Sequence, residues 1–493
     1  MTEHRPRRFG LSKSKITAFE QCPKRLWLQT HRPDLAEVDE GAELRFAAGN
    51  AVGEIACALH PGGVMVEAEP DLAAALAQTE ALIARGHPGP IFEATFQHQG
   101  VLVRVDVLER LDEGGWAAAE VKSSTKVKDY HRGDVATQAW VMREAGLDLR
   151  RAGLRHVDTS FMLTREGDYD GLFADAELLG ELEETIAARP ALVAEARAVL
   201  AGPEPERTMG DHCSSPFDCE FAGYCGRDLP PGPEWPVTVL PRGGGKKWLE
   251  KGIEDLLDLA EGDLNPIGAR VLAATRDARP FHDAEGARRA MSHWGWPRAW
   301  LDFETIATAI PRWIGTGPYQ QVPFQFSLHL ERRGGRMTHH EFLSCDGGDP
   351  RRACAEALVE AIPEGATIIA YYAPFERRVL RELARDVPEH AERLEAMADA
   401  TVDLLPVTRD HWYHRDQRGS WSIKAVLPTV AAELDYGALE VKDGGDAQSA
   451  WLEAADPACD PLRREALEEA LKAYCERDTW AMVALARALV KSA

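Results

Sequence analysis

Two carboxylates and a lysine lie close together in the first quarter of the chain. Asp106 falls at the predicted end of one β-strand, and Glu120 and Lys122 lie on the next strand, separated by one residue. Because strand side chains alternate, Glu120 and Lys122 project from one face, and Asp106 joins them if the strands pair. Converging carboxylates suit Mg²⁺ or Mn²⁺, and an adjacent ammonium can orient a water or neutralise a phosphate. The alternative interpretation is a surface ion pair on an amphipathic hairpin.

A second set of acidic residues lies in the last two fifths of the chain. The run LDFET places Asp302 and Glu304 on one face of a buried strand, about 7 Å apart along it. Tyr474 and Asp478 are four residues apart in a helical stretch and therefore share a face. Acidic pairs at opposite ends of an α/β domain suit two metal ions that activate a water and stabilise the leaving oxygen. A purely structural role for the D-x-E pair is the competing interpretation.

Four cysteines form a third candidate group. Cys213, Cys219 and Cys225 fall within thirteen residues, and Cys22 lies far upstream. Ligation by thiolates alone fits zinc or an iron–sulfur cluster, although the paired C-x2-C knuckles of structural zinc sites are absent from this segment. Buried unligated thiols are the third possibility. The remaining cysteines are expected to be ordinary core residues: Cys57, Cys345, Cys354, Cys459 and Cys475.

Regular elements must position these side chains. Apolar periodicity predicts helices at 11–30 (opened by a serine cap), 43–60, 71–85, 134–145 and 176–201. Strands are predicted at 91–97, 101–110 and 116–124, where they form a meander. A later series has strands in RAWLDFETI, FQFSLHLER and HHEFLSC, a helix at 352–361, a strand at 366–373 and a helix from Phe375.

These elements predict an α/β protein with more than one domain. The passage 228–247 is rich in Pro and Gly and predicts a linker, and 248–276 predicts two short helices. We therefore expect a first domain over 1–227, a linker with a short helical region over 228–294 and a second domain over 295–493.

Composition limits the possible classes of protein. With 45% hydrophobic and 28% charged residues in 493, the chain is neither fibrous nor wholly disordered. It lacks an apolar run long enough for a membrane span or a signal peptide, so we expect a cytoplasmic protein. Its net charge of −23 repels nucleic acid overall, so binding would use metal ions and local basic strips. The first 34 residues form one such strip, with Arg5, Arg7, Arg8, Lys13, Lys15, Lys24, Arg25 and Arg32.

The segments VRVDVLER, AEVKSSTKVKDY and DVATQAWVMREAG resemble the PD-(D/E)XK nucleases of the RecB type. That resemblance implies a restriction-endonuclease-like domain in which Asp106 and Glu120 bind metal. It further implies that Lys122 is the catalytic lysine and Gln138 the helix residue of the last motif.

Two positions depart from that family pattern. Met142 stands where the family usually has an aromatic residue, and Gly53 stands where many relatives carry a metal-binding His. Glu93 or Glu54 would then supply the third ligand, or activity would be weak.

The cysteine pattern, with one Cys near the start and three after the nuclease core, resembles the iron–sulfur nucleases among the RecB-like proteins. These include CRISPR-associated nucleases and the AddB type. The resemblance implies that Cys22, Cys213, Cys219 and Cys225 bind a [4Fe–4S] cluster that clasps the two ends of the domain.

The later acidic residues resemble those of DnaQ-like exonucleases, which have the RNase H fold. On that resemblance the active site comprises Asp302, Glu304, Glu376, Tyr474 and Asp478, with the tyrosine orienting the nucleophilic water. Asp403 is a spare acid nearby, and Lys424 is placed to touch a phosphate or lie in solvent. Together, AYYAPFERRVL, GSWSIKAVLP and DGGDAQSAW make the whole chain resemble a bacterial family of unknown function that joins the two modules.

These resemblances imply a metal-dependent deoxyribonuclease with Mg²⁺ or Mn²⁺ and two nuclease modules, acting on single-stranded DNA or DNA ends. An RNA exonuclease is one alternative, because the sequence identifies no residue that would distinguish RNA from DNA by contact with the 2′-hydroxyl. A non-catalytic nucleic-acid-binding or scaffold protein with degenerate sites is another. Partner proteins in repair or defence remain unidentified by the sequence.

Overall fold

The computed structural model describes residues 10–37, 42–67, 71–434, 436–437 and 439–491. Two units can be distinguished within it: Met1–Leu229 with Thr308–Gln320, and Pro230–Ala307 with Gln321–Ala493. Most of the predicted linker and helical region, from Pro230 onward, therefore groups with the second unit. Arg5, Arg7 and Arg8 of the basic strip lie outside the described residues. None of the helices in the described ranges combines the length and the apolar composition that crossing a membrane requires.

The first unit has a central sheet flanked by helices. Its strands are β1 (Leu11–Ser12), β2 (Val64–Met65), β3 (Ile91–His98), β4 (Val101–Arg110), β5 (Trp116–Lys122), β6 (Leu149–Val157) and β7 (Phe173–Glu177). Its helices are α1 (Lys13–Gln21), α2 (Pro23–His31), α3 (Ala42–Ala58), α4 (Leu72–Ala84), α5 (Asp129–Glu144), α6 (Glu183–Ala201) and α7 (Ala222–Gly226).

The predicted meander β3–β4–β5 is confirmed, with antiparallel pairing throughout. The order β2-β3-β4-β5-β6-β7 continues through β6, which runs parallel to β5 after the crossover helix α5. In β4, Val103, Val105 and Val107 are buried while Arg104 and Asp106 face the opposite side, as a period of two requires. The prediction that Asp106 ends its strand is wrong, because β4 continues four residues further, to Arg110.

Two helix predictions in the first unit need correction. The helix predicted at 11–30 is two helices, because Cys22 is extended (φ −161°, ψ 119°) and Pro23 begins α2. Proline is favoured at the first helical position, where its missing N–H has no partner to lose. The predicted serine cap is confirmed: Ser12 Oγ accepts from Lys15 N at 3.3 Å. The segment 176–201 begins with the end of β7, and helix α6 begins only at Glu183.

The second unit is also a sheet covered by helices. Its strands are β8 (Phe281–His282), β9 (Arg298–Ile306), β10 (Val322–Glu331), β11 (Met337–Leu343), β12 (Thr367–Ala370), β13 (Thr401–Asp403) and β14 (Trp412–Tyr413). Its helices are α8 (Lys246–Leu249), α9 (Pro266–Arg276), α10 (Ala284–Ala290), α11 (Arg351–Ala361), α12 (Pro374–Asp386), α13 (Ala391–Asp399), α14 (Leu404–His411), α15 (Ile423–Val430), α16 (Gly444–Ala454) and α17 (Pro461–Val490). The α/β class is confirmed.

The main sheet of the second unit has the order β11-β10-β9-β12-β13. β9, β10 and β11 pair antiparallel, whereas β12 runs parallel to β9 and β13 parallel to β12. Ala299, Leu301 and Phe303 pack in the core beneath α11, α12 and α13. The alternate side chains of β9, including Asp302 and Glu304, therefore face α17, which packs on β9 and β10.

Candidate functional site

Three carboxylates, two of them buried and one half-buried, converge between β9 and α17. Asp302 and Glu304 come from the strand and Asp478 from the helix, and one ligand atom from each lies within 4.8 Å of the other two. Glu304 is 7% exposed and Asp478 8%. The structure thus brings together residues that are more than 170 positions apart in the sequence.

The proximity of these groups opposes their ionisation. Burial, followed by repulsion from Asp478 and Glu304, raises the pKa of Asp302 well above its usual value. Burial, followed by repulsion from Asp478, raises the pKa of Glu304 to about 8. A bound divalent cation would stabilise the ionised forms, so this carboxylate group is suited to hold one.

Two tyrosines and a lysine border the carboxylates. Tyr436 donates its hydroxyl proton to Asp478 Oδ1 at 2.5 Å. Burial, and then Asp478, raise the pKa of both Tyr436 and Tyr474 far above the usual value, so both phenols stay protonated donors. Lys424 Nζ lies 5.2 Å from the Tyr474 ring centroid and donates to the Lys442 carbonyl at 2.6 Å.

Glu376 lies on the first turn of α12, beside these carboxylates. It does not belong to the group whose ligand atoms all lie within 4.8 Å of one another. It is 3% exposed, and its Oε2 is buried with no hydrogen-bond partner among the described residues. Burial, with a further contribution from Asp403, raises the pKa of Glu376 to about 8. Its charge in turn raises the pKa of Asp302 and Glu304. Asp403 Oδ1 accepts from Tyr372 N and Leu405 N, so it caps α14.

In the first unit, Glu120 is the centre of a buried polar network. Its side chain is 1% exposed. Lys122 Nζ lies 2.6 Å from Glu120 Oε1, and Lys13 contacts the same oxygen. Gln138 Nε2 donates to Glu120 Oε2 at 2.6 Å. The predicted residues Glu120, Lys122 and Gln138 therefore meet.

Asp106 lies beside Glu120, and its pKa is shifted in the opposite direction. Its Oδ2 accepts a hydrogen bond from Val121 N at 2.6 Å. Burial, and then the charge of Glu120, raise the pKa of Asp106 to about 7. Burial also opposes ionisation of Glu120, but the ammonium groups of Lys13 and Lys122 outweigh it and lower its pKa to about 2.

Asp106 and Glu120 both line an open cleft of about 710 Å³. Both candidate third ligands, Glu54 and Glu93, line it together with Asp106 and Glu120. Glu93 has a positive φ of 54°, which is strained for a residue with a side chain. Cys57 also lines the cleft and is only half-buried, so the prediction that it is an ordinary core residue is wrong.

The four predicted sulfur ligands line one cavity. Cys22, Cys213, Cys219 and Cys225 surround it with basic and apolar neighbours, and Cys219 N donates to the Cys213 carbonyl at 2.8 Å. Within the described residues, the quartet is not among the groups of ligand atoms that lie within 4.8 Å of one another. Of the other cysteines, Cys459 is half-buried, contrary to the prediction that it is a core residue.

Sequence reasoning missed two residues at these sites. Lys13 reaches Glu120 because β1 pairs parallel with β4 and α1 begins immediately after it. Tyr436 reaches Asp478 from a segment outside the regular helices and strands. Lys13 was predicted only as part of the basic strip, and no local pattern predicts either contact, since both depend on tertiary packing.

Comparisons with known proteins found a family model that matches a segment lying mostly in the second unit. A family model described as a domain of unknown function, DUF2779, matches residues 299–422, about a quarter of the chain. This match includes Asp302, Glu304, Glu376 and Asp403. An uncharacterized protein of Mycoplasma pneumoniae, the MG366 homolog, is 25% identical over 209 residues. That alignment covers 38% of this chain and 31% of the relative, so it spans less than a third of the relative's length.

One solved structure, the crystal structure of SSO0001, is also similar to part of the chain. The two are 15% identical, and the match covers 46% of this chain and 90% of that one. The TM-score is 0.24, which is too low to support an inference about the fold.

Proposed function

We propose that this protein is a metal-dependent nuclease with two hydrolytic centres. The observation that carries the proposal is the group of half-buried Asp302 and buried Glu304 and Asp478, whose ligand atoms lie within 4.8 Å of one another. Three ionised carboxylates this close together are unfavourable unless a cation offsets their repulsion. Such groups are typical of sites where divalent ions act on phosphodiesters.

The topology of the second unit supports an RNase H-like, DnaQ-type domain. Three antiparallel strands in the order β11-β10-β9 are followed by two parallel strands, β12 and β13. In such a fold the first strand, a middle helix and the last helix contribute acids, and here β9, α12 and α17 carry Asp302, Glu376 and Asp478. The unsatisfied Oε2 of Glu376 is a further oxygen that a metal or its water would satisfy.

Mg²⁺ or Mn²⁺ bound by Asp302, Glu304 and Asp478 would polarise the phosphodiester and lower the pKa of the attacking water. Tyr474 remains protonated and donates to Asp478, so its hydroxyl oxygen can accept a hydrogen bond that orients this water. Lys424 lies over the Tyr474 and Tyr436 rings and is positioned to neutralise a phosphate. We therefore assign a positioning role to Tyr474 and a phosphate-binding role to Lys424.

The first unit supports a PD-(D/E)XK centre of the RecB type. Asp106 and Glu120 converge from neighbouring strands, and α5 supplies Gln138 in the position that the resemblance implies. The raised pKa of Asp106 means that metal binding must displace its proton near neutral pH. Lys122 would then be released from Glu120 to contact the phosphate or the water.

The cysteine cavity supports a [4Fe–4S] cluster in preference to a single zinc ion. Tetrahedral zinc with Zn–S bonds of about 2.3 Å would place its sulfur ligands about 3.8 Å apart. The four sulfurs share one cavity but do not form a group within 4.8 Å. A wider spacing suits a cluster of several atoms.

Single-stranded DNA or DNA ends are the substrate that we favour. A cavity of about 700 Å³ in the second unit is lined by Tyr371, Tyr372 and Trp421 together with Arg242 and Arg409. Aromatic faces stack on unpaired bases, and guanidinium groups bind phosphates. Tyr372 is 58% exposed, so its ring is available for such stacking.

The test is cleavage of end-labelled single-stranded DNA and RNA with Mg²⁺ or Mn²⁺ at matched salt. Glu120→Gln and Asp302→Asn should each remove one component of the activity, and the double variant should be inactive. Glu113→Gln and Glu360→Gln alter exposed carboxylates and should behave as wild type. Unchanged cleavage by the double variant would refute the proposal. Binding without hydrolysis at every metal concentration would instead support the scaffold alternative, and faster cleavage of RNA would support the ribonuclease.

A further inference from the structure

A second group of metal-ligand atoms lies on the same sheet, separate from the carboxylates. His329 on β10, His339 on β11 and Glu476 on α17 each offer an atom within 4.8 Å of the other two. His329 and His339 are direct cross-strand partners, with ring centroids 4.7 Å apart. Glu476 Oε1 lies 3.9 Å from His339 Nδ1.

A buried hydroxyl network holds both imidazoles in place. Thr479 Oγ1 lies 2.9 Å from His329 Nδ1, and Ser327 Oγ lies 2.9 Å from His339 Nε2. The two hydroxyls are themselves 2.8 Å apart. Each ring therefore has one nitrogen engaged by a hydroxyl while the other nitrogen remains outside this network. Histidine ligands of metals are oriented in this way, through a hydrogen bond to the nitrogen that does not bind the ion.

The donor set identifies the class of ion. Two imidazole nitrogens and one carboxylate oxygen suit Zn²⁺ and related transition metals, whereas Mg²⁺ prefers oxygen ligands alone. His329 is 4% exposed, but the side chains of His339 and Glu476 are 25% and 53% exposed. An ion can therefore enter from solvent, and three protein ligands leave at least one coordination position open.

We propose that His329, His339 and Glu476 bind a transition-metal ion of the Zn²⁺ class, at a site distinct from the all-oxygen centre. The ion would tie α17 to β10 and β11. Because Glu476 and Thr479 flank Asp478 on α17, the ion would also restrain the helix turn that presents Asp478 to the carboxylate group. The proposal concerns metal binding, and it stands or falls independently of nuclease activity.

The test is equilibrium dialysis of the full chain against Zn²⁺ in the presence of saturating Mg²⁺, followed by measurement of bound zinc. Excess Mg²⁺ competes with zinc at the all-oxygen sites, and any zinc held there or by the cysteines is the same in every variant. His339→Ala and Glu476→Gln should each bind one zinc fewer than wild type, or bind it at least tenfold more weakly. His340→Ala is the matched control, because that neighbouring side chain lies on the opposite face of β11.

A second measurement separates metal binding from misfolding. Zinc should raise the melting temperature of the wild type and of His340→Ala, and should leave that of His339→Ala unchanged. Without zinc, His339→Ala and Glu476→Gln should melt within a few degrees of wild type, since both side chains are partly exposed. Equal zinc content in wild type, His339→Ala and Glu476→Gln would overturn the proposal.

Discussion

Replacing Glu304 by Gln should stabilise the metal-free second unit, and increasingly so as the pH rises. The folded-state pKa of Glu304 is about 8, against an ordinary value of 4.5. Between these two values the folded protein retains a proton that the unfolded chain has lost, so the free energy of unfolding falls as the pH rises. At about 1.4 kcal/mol per pKa unit, the full loss above pH 8 is about 5 kcal/mol. The amide introduced by Glu304→Gln does not ionise in this range, so the variant should avoid most of this loss.

The assay is urea unfolding in EDTA at several pH values from about 5 to 8. Nine of the thirteen tryptophans belong to the second unit, so tryptophan fluorescence reports mainly on its unfolding. The stability of Glu304→Gln relative to wild type should rise across this range, whereas Glu360→Gln, at an exposed position, should match wild type throughout. Saturating Mg²⁺ should stabilise the wild type most at pH 8. A difference between Glu304→Gln and wild type that does not change with pH would refute the argument that this carboxylate is buried among others.

Two further predictions concern the first unit. Lys13→Met removes one of the ammonium groups that lower the pKa of Glu120 to about 2. In the wild type, ionised Glu120 stabilises the fold fully above pH 4.5, and this stability is lost as the pH falls towards 2. In Lys13→Met the same stability should be lost at a higher pH. Circular dichroism in an acid titration should show an unfolding midpoint at higher pH than in wild type or Lys15→Met, and coincident midpoints would contradict this role of Lys13. The purified protein should be brown, with absorbance near about 400 nm that Cys219→Ser loses and Cys459→Ser retains. A colourless wild-type protein with stoichiometric zinc would show that the cavity holds zinc instead.

Much of the local structure could be predicted because its signals are periodic. The alternation in VLVRVDVLER identified β4, and the one-residue spacing of Glu120 and Lys122 placed both on one face of β5. The four-residue spacing of Tyr474 and Asp478 likewise gave their common face on α17. The proline after Cys22 was a visible signal for the break between α1 and α2, and the apolar periodicity on either side of it obscured that signal.

The remaining features depend on pairing that one sequence does not reveal. His329 meets His339 only in the register that β10 and β11 adopt, since a shift by one residue would put one ring on the other face. Lys13 reaches Glu120 through the pairing of β1 with β4. Tyr436 approaches Asp478 from a segment with no helical or strand periodicity. These contacts depend on packing between segments that are distant in the sequence, so residue spacing along the chain does not predict them.

Helix α1 joins two chemically different places. Lys13, its first residue, contacts Glu120, and Cys22, which ends it, lines the sulfur cavity. Its nine residues rise by about 1.5 Å each, so its two ends are about 12 Å apart. The placement of this one short helix therefore sets both where the Cys22 sulfur lies in its cavity and where the Lys13 ammonium lies against Glu120.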